Sequence, residues 1–355
     1  MSAPPDAAAP RPRLVFWEST GRCNLRCAHC RRLDAGAPAD DLDTPAAEGL
    51  VDAVADLGAG IFVISGGEPL LRDDWAPLAK RARVRGLAVA LATNGTLIDD
   101  AQADRLAAAG FARVAVSLDA ADPATHDAFR GVAGAFDAAV AGIGRLRRRS
   151  VAVQINAAVA DHNAGRLDDL YALAADLDAE ALHLFVLVPV GCGMDLDAAQ
   201  HLDAGATEAV LEWVVARQAA GTLELKATCA PQYHRVAAAW LVRHADERGA
   251  ARVRAAMRGR GCLAGSGICF VSHTGEVFPC GYLPVSCGNI RQTPLAEIWS
   301  LSPILRRLRD PGQLTGRCGA CEFKVVCGGC RARAYAATGD YLAEAPACAH
   351  RPGRH

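Results

Sequence analysis

Cys23-Asn24-Leu25-Arg26-Cys27-Ala28-His29-Cys30 decides how the rest of the chain is read. It is a Cys-x3-Cys-x2-Cys loop placed just after a short strand-like run, Leu14–Glu18. Three thiolates on one loop suit three irons of a 4Fe–4S cluster, which ordinarily takes four Cys ligands. The remaining iron is left open to a small molecule that can receive an electron.

Outward from the loop, the chain alternates. Short β-branched runs predict strands at Leu14–Glu18, Ile61–Ser65, Ala88–Thr93, Val114–Leu118, Val151–Val159 and Leu182–Val190. Between them, helical periodicity predicts helices at Ala46–Asp56, Trp75–Val84, Asp100–Ala109, Phe136–Arg148 and Gly165–Leu177. The runs are apolar on both faces, as strands of a covered parallel sheet are. Six βα units predict a parallel α/β sheet, open or curled into a partial barrel. Chemistry in such sheets gathers at the C-terminal strand ends, and the three-Cys loop leaves the first strand at that end.

Other strand ends are polar too. Gly66-Gly67-Glu68-Pro69 follows the second strand, Thr93-Asn94-Gly95 ends the third and Ser117-Leu118-Asp119 ends the fourth. Two glycines let a ligand approach the backbone, and Glu68 offers a carboxylate at the rim. Taken singly, these residues read as helix caps and turns. Taken together beside the three-Cys loop, they read as the lining of one ligand site.

The 355 residues, 51% of them hydrophobic, suffice for a large domain or for one domain and a smaller one. A net charge of −1 with interspersed signs excludes a general polyanion or nucleic-acid binder. The basic run Arg145–Arg149 reads as a solvated helix end. No apolar run reaches the roughly 18–20 residues of a membrane span. Residues 1–13, rich in Ala and Pro, read as a disordered tail and not a signal peptide, so the expected location is cytoplasmic. There, fourteen cysteines suit metal ligation or catalysis better than disulfides. Cysteines cluster at 23–30, 262–287 and 318–348; Cys192 and Cys229 stand apart.

The Cys23–Cys30 loop and Gly66-Gly67-Glu68-Pro69 together resemble the radical S-adenosylmethionine (SAM) superfamily over about residues 14 to 200. The resemblance implies a partial (β/α)6 barrel over 14–203, with Cys23, Cys27 and Cys30 as cluster ligands. SAM would chelate the open iron, with Gly66, Gly67, Glu68 and Pro69 at its amino group. Ser117 and Asp119 would lie near its ribose or carboxylate, and Asn94, Asn156 and the Val186–Val190 strand end would complete the site. Arg130 is a candidate partner for the SAM carboxylate, or a surface helix end. Residues 204–258 read as a helical bridge, in which Cys229, Tyr233 and His234 are either substrate-facing or structural.

From Gly259 the chain turns to Gly, Pro and Cys with short strands, as expected of a small module stapled by metal. Cys262, Gly275 and Cys280 are followed by Cys318-x2-Cys321-x5-Cys327-x2-Cys330 and Cys348. This resembles the SPASM extension over 259–355, except that three residues usually precede the sixth Cys where two do here. The resemblance implies one auxiliary 4Fe–4S cluster on Cys318, Cys321, Cys327 and Cys348. A second would lie on Cys262, Cys269, Cys280 and Cys330. Structural zinc is the alternative for two Cys-x2-Cys pairs.

Wider stretches narrow the resemblance. Trp17-Glu18, Cys30-Arg31, Thr228-Cys229-Ala230-Pro231 and Cys280-Gly281-Tyr282-Leu283-Pro284 look like the AhbD/NirJ group of haem-biosynthesis enzymes, closest to its haem b synthase branch. That implies oxidative decarboxylation of two propionates of iron-coproporphyrin III to vinyl groups, with a ferredoxin or flavodoxin as electron donor. Arg22, Arg31, Arg32, Arg331 and Arg333 are candidates for the substrate carboxylates, because Arg binds carboxylate bidentately. The alternatives are removal of other tetrapyrrole side chains, maturation of a ribosomal peptide, or a zinc-stabilised binding protein.

Overall fold

The computed structural model describes residues 9–33, 40–221, 223–244 and 248–353. Its strands are β1 (Leu14–Glu18), β2 (Ile61–Ser65), β3 (Ala88–Thr93), β4 (Arg113–Ser117) and β5 (Val153–Val159). β6 (Ala181–Val186), β7 (Glu224–Thr228), β8 (Ile268–Val271), β9 (Glu276–Phe278) and β10 (Gly288–Asn289) follow. One ten-stranded sheet runs in the order β10-β9-β8-β1-β2-β3-β4-β5-β6-β7. β1 to β7 are parallel, each reached from the one before through helical segments. The helices start where the sequence caps them. Asp43, Asp99, Asp122 and Asp203 each accept a backbone N–H of the first turn, satisfying one of its orphan donors.

The outer faces of the strands and the helices above them form the core. Val15, Trp17, Phe62, Ile64 and Leu91 are all fully buried there. The inner face differs from the two-sided apolar expectation. Val153, Ile155, Ala157 and Val159 of β5 are buried, whereas Gln154, Asn156 and Ala158 alternate with them and remain partly accessible. Residues of β1 to β8 line a single cavity of about 1440 Å³, so the parallel sheet curls around it as a partial barrel.

Two boundaries differ from the sequence expectation. The segment 204–258 is not wholly helical: Glu224–Thr228 adds a seventh parallel strand beside β6. Its short, charged pattern, Glu-Leu-Lys-Ala-Thr, hides it from a search for apolar runs. The Cys-rich module is not separate from the sheet either, because β8 pairs in parallel with β1 over Leu14–Trp17. Of the expected tail, residues 1–8 lie outside the described residues, but 9–13 are docked. The Pro10 carbonyl accepts from Trp299 Nε1 at 2.7 Å, and Arg13 N–H donates to Gly267 O at 2.8 Å.

Candidate metal centres and cavity

The three-Cys loop is held at both ends by backbone contacts. Gly67 N–H donates to Thr20 O at 2.8 Å and Glu68 N–H to Arg22 O at 2.7 Å, lacing the loop to the end of β2. A Cβ on Gly67 would strike the Arg22 carbonyl, so glycine is required by close approach. On the other side, Arg26 N–H and Ala28 N–H donate to Arg130 O and Phe129 O at 3.2 and 3.0 Å. Gly131, left-handed at φ +71°, ends that helix with its Cα against Arg26.

Cys23, Cys27 and Cys30 are unpaired thiols facing the cavity. Burial pushes the Cys27 thiol up to about 11, so it holds its proton unless a metal takes its place. Three converging thiols on a loop fixed by backbone bonds fit a cluster with three protein ligands.

The strand-end residues divide into two groups. Gly66, Gly67, Asn94, Ser117, Asn156 and Arg130 line the cavity. Glu68, Pro69 and Asp119 stand behind its wall, contrary to the expectation that they touch a ligand. Glu68 is fully buried and accepts from Thr93 Oγ1 at 2.7 Å, Asn94 N–H at 2.8 Å and Leu70 N–H at 3.1 Å. It ties the ends of β2 and β3 together, and burial raises its carboxyl to about 7. Asp119, also fully buried, accepts from Ala158 N–H at 2.8 Å and binds the Arg130 guanidinium. Burial pushes the Asp119 carboxyl up, but Arg130 and two nearby histidines outweigh it and hold it below the usual range. Both carboxylates are braces whose partners, Asn94 and Arg130, reach the cavity.

The C-terminal cysteines form two neighbouring groups. Cys321 and Cys327 both lie near Cys318 and Cys348. Cys318 Sγ accepts from Ala345 N–H at 3.4 Å and Arg331 Nη2 at 3.6 Å. Beside this group His350 Nε2 meets Glu322 Oε1 at 2.8 Å. In the second group Cys262, Cys280 and Cys330 front the cavity. The short Cys327-x2-Cys330 spacing works because Gly328 and Gly329 are both left-handed, at φ +73° and +62°. They split the pair, sending Cys327 to one group and Cys330 to the other.

Cys269 does not join them. It lies on the core face of β8, fully buried beside Cys287, whereas its neighbours Ile268 and Phe270 face the cavity. Cys229, just after β7, lies near Cys330 and Cys280. Its isolation in sequence concealed this, since the β7 that carries it was not legible.

The cations also redistribute. Arg331 and Arg333 are consumed by carbonyls: Arg331 by Gly329, Tyr341 and Ala343, Arg333 by Cys229, Val186 and Leu187. Arg22 binds Leu71 O at 2.7 Å and lies outside the cavity. Arg31 and Arg32 do line it, Arg31 stacking 4.4 Å over Phe270 and 3.7 Å from Glu18. Arg13, Lys226, Arg258 and Arg260 front the cavity as well, without an ion pair among the described residues. Burial, and then Arg13, pull the Lys226 ammonium below the usual lysine range. Of the bridge candidates, Tyr233 donates to Gln218 Oε1 at 2.6 Å, and both it and His234 reach the cavity wall.

Comparison with known proteins agrees with this arrangement. The radical SAM superfamily pattern matches residues 17–174, and the iron–sulfur cluster-binding SPASM domain matches 262–322. An AdoMet-dependent heme synthase of Methanosarcina barkeri is 46% identical over 349 residues, 97% of this chain and 98% of that protein. Another, of Nitratidesulfovibrio vulgaris, is 42% identical, covering 100% of this chain and 99% of its own. Among solved structures, Streptococcus suis SuiB bound to precursor peptide SuiA superposes with a TM-score of 0.75, over 97% of this chain and 77% of that one. At 16% identity that likeness concerns the fold alone. No helix among the described residues is long and apolar enough to cross a membrane. The chain belongs to the radical SAM superfamily, in the branch that carries a C-terminal SPASM iron–sulfur domain.

Proposed function

We propose that the protein is a haem synthase that oxidatively decarboxylates two propionates of iron-coproporphyrin III to vinyl groups. The full-length identity to AdoMet-dependent heme synthases supports the reaction. The observation that carries the substrate class is the cavity. It is about 1440 Å³, lined by the three-Cys loop and by Arg13, Lys226, Arg258 and Arg260, which have no ion pair among the described residues. That exceeds the ~300–1,000 Å³ of an ordinary small-molecule site, and suits a cofactor and a macrocycle side by side.

In the reading proposed here, Cys23, Cys27 and Cys30 hold the cluster. Gly66, Gly67, Asn94, Ser117 and Asn156 hold SAM, and Arg130 faces its carboxylate. Cluster and SAM, when bound, would supply the radical chemistry that removes a hydrogen atom from a propionate β-carbon, so that loss of carbon dioxide and one electron would leave the vinyl group. The cations Arg13, Lys226, Arg258 and Arg260 take the carboxylates that are not being lost, because charge-assisted bonds to carboxylate are strong and directional. Two cysteine groups support two auxiliary clusters, which give the departing electron a place to go. The module 259–355 contributes most of the thiols of both groups, and a small reductant protein of ferredoxin or flavodoxin type would reload the radical site.

The test is an anaerobic reaction with dithionite, SAM and iron-coproporphyrin III, followed by mass spectrometry. Stepwise loss of two carboxyl groups is expected. Turnover of a sirohaem derivative, with iron-coproporphyrin III untouched, would move the protein to a sibling tetrapyrrole reaction.

A further inference from the structure

We infer that Cys229 is the fourth thiolate of the auxiliary site formed with Cys262, Cys280 and Cys330, and that Cys269 plays no part in it. The inference rests on the reading above that the C-terminal module carries two auxiliary clusters.

Strand geometry excludes Cys269. Side chains alternate along β8, so Ile268 and Phe270 face the cavity while Cys269 faces the core. Cys269 pairs in register with Val15, and its charged or thiol neighbours are Cys287 and Arg309. No side-chain rotation carries a sulfur through a sheet, and turning the strand over would bury Phe270 in place of Cys269.

Cys229 meets the opposite conditions. It lines the same cavity as Cys262, Cys280 and Cys330, and packs with Cys280 against Cys330. Its backbone is left-handed, φ +60°, a conformation that non-glycine residues seldom adopt without a reason. That conformation is held from the far side. Arg333 Nη1 donates to Cys229 O at 3.0 Å, and Nη2 donates to Leu187 O at 2.9 Å and Val186 O at 3.2 Å. Arg333 lies on the helix Arg331–Thr338, which begins just after Cys330. One guanidinium therefore fixes the ends of β6 and β7 relative to the Cys330 thiol, and fixes Cys229 with them.

Two consequences follow. Four thiolates leave no iron open, so this cluster takes or passes an electron and does not bind the substrate through iron. The ligands also come from two places, β7 of the barrel and the C-terminal module, so cluster assembly locks the module against the cavity.

The experiment compares Cys229→Ala, Cys229→Ser and Cys269→Ala with the unmodified chain, all reconstituted anaerobically without substrate. Iron and acid-labile sulfide per chain are measured, with electron paramagnetic resonance of the oxidised and reduced forms. The unmodified protein is expected to hold about twelve irons, four per cluster. Cys269→Ala should match it. Cys229→Ala should lose about four irons, or about one with a new 3Fe–4S signal when oxidised. Cys229→Ser, which keeps an oxygen ligand, should retain iron with an altered reduced spectrum. Unchanged iron and spectra in Cys229→Ala would overturn the assignment, as would loss confined to Cys269→Ala. Only about eight irons in the unmodified protein would remove the second auxiliary cluster, and this ligand with it. Failure of iron-coproporphyrin III to react would bear on the substrate alone, because these readouts need none.

Discussion

Arg130 grips the buried carboxylate of Asp119 through two nitrogens, Nε at 2.7 Å and Nη2 at 3.0 Å, and turns Nη1 toward Cys27 Sγ at 3.7 Å. One cation thus neutralises a fully buried acid and faces the Cys27 thiol. Arg130→Met leaves the Asp119 carboxylate buried without its cation, at a cost of about 3–5 kcal/mol. In the native protein the depressed Asp119 carboxyl adds stability above its unfolded value near ~3.9, lost as pH falls through the lower folded value. In the variant burial is opposed by the nearby histidines and the Ala158 N–H without the guanidinium, so the folded carboxyl rises and the slope shifts toward loss of stability with rising pH. Chemical denaturation should show a steeper loss of stability from pH 5 to pH 8 in Arg130→Met than in the unmodified chain.

Glu68 gives a second pH signature. Its carboxyl titrates near 7 in the fold because burial favours the neutral form. The folded chain therefore keeps a proton that the unfolded chain has already released. Stability contributed by Glu68 falls between about pH 4.5 and 7, by on the order of 3 kcal/mol. Glu68→Gln removes that slope, but sets an amide against one of three donors at a cost of about 1–3 kcal/mol. Stability curves of the two proteins over this range should converge as pH rises.

Gly131→Ala tests the loop's second anchor. The residue is left-handed, and a Cβ would strike the Arg26 carbonyl. Strain of about 1–2 kcal/mol and a displaced loop should lower the iron held by Cys23, Cys27 and Cys30. The auxiliary iron should stay, and iron analysis with spectroscopy separates the two.

Cys27→Ala and Cys321→Ala should fail at different steps. The first should abolish reductive SAM cleavage. The second should leave cleavage, read as 5′-deoxyadenosine, but stop haem formation. Full product from Cys321→Ala would remove the distal group from the electron path.

Lys226→Met should weaken porphyrin binding and spare SAM cleavage. A charge-assisted bond is worth about 1.5–3 kcal/mol, so KM should rise roughly tenfold or more. An unchanged KM would place the carboxylates elsewhere in the cavity.

Most of the fold was legible because its signals are local. β1, β2 and β3 fall at the expected residues, as do the helices Trp75–Val84 and Asp100–Ala109. The three-Cys loop was equally plain, since its cysteines lie within eight residues. What escaped depends on distant packing. The pattern at β7 is set by the cavity it lines, not by a two-sided core. Glu68 and Asp119 sit at strand ends like ligands, yet their partners turn them into braces. Cys269 has suitable spacing, but β8 alternation sends it to the other face. Cys229 has no spacing signal at all, being joined to its group only when β7 closes beside β6.

The pairing of β8 with β1 also bears on what a shortened chain would do. β1 carries Val15 and Trp17, both fully buried, and its outer hydrogen-bonding side is covered only by β8. Without the C-terminal module that side becomes an open parallel edge flanked by apolar side chains. Such an edge is a template for intermolecular strand addition. Truncation before Ile268 should therefore yield insoluble aggregate in place of a minimal radical enzyme.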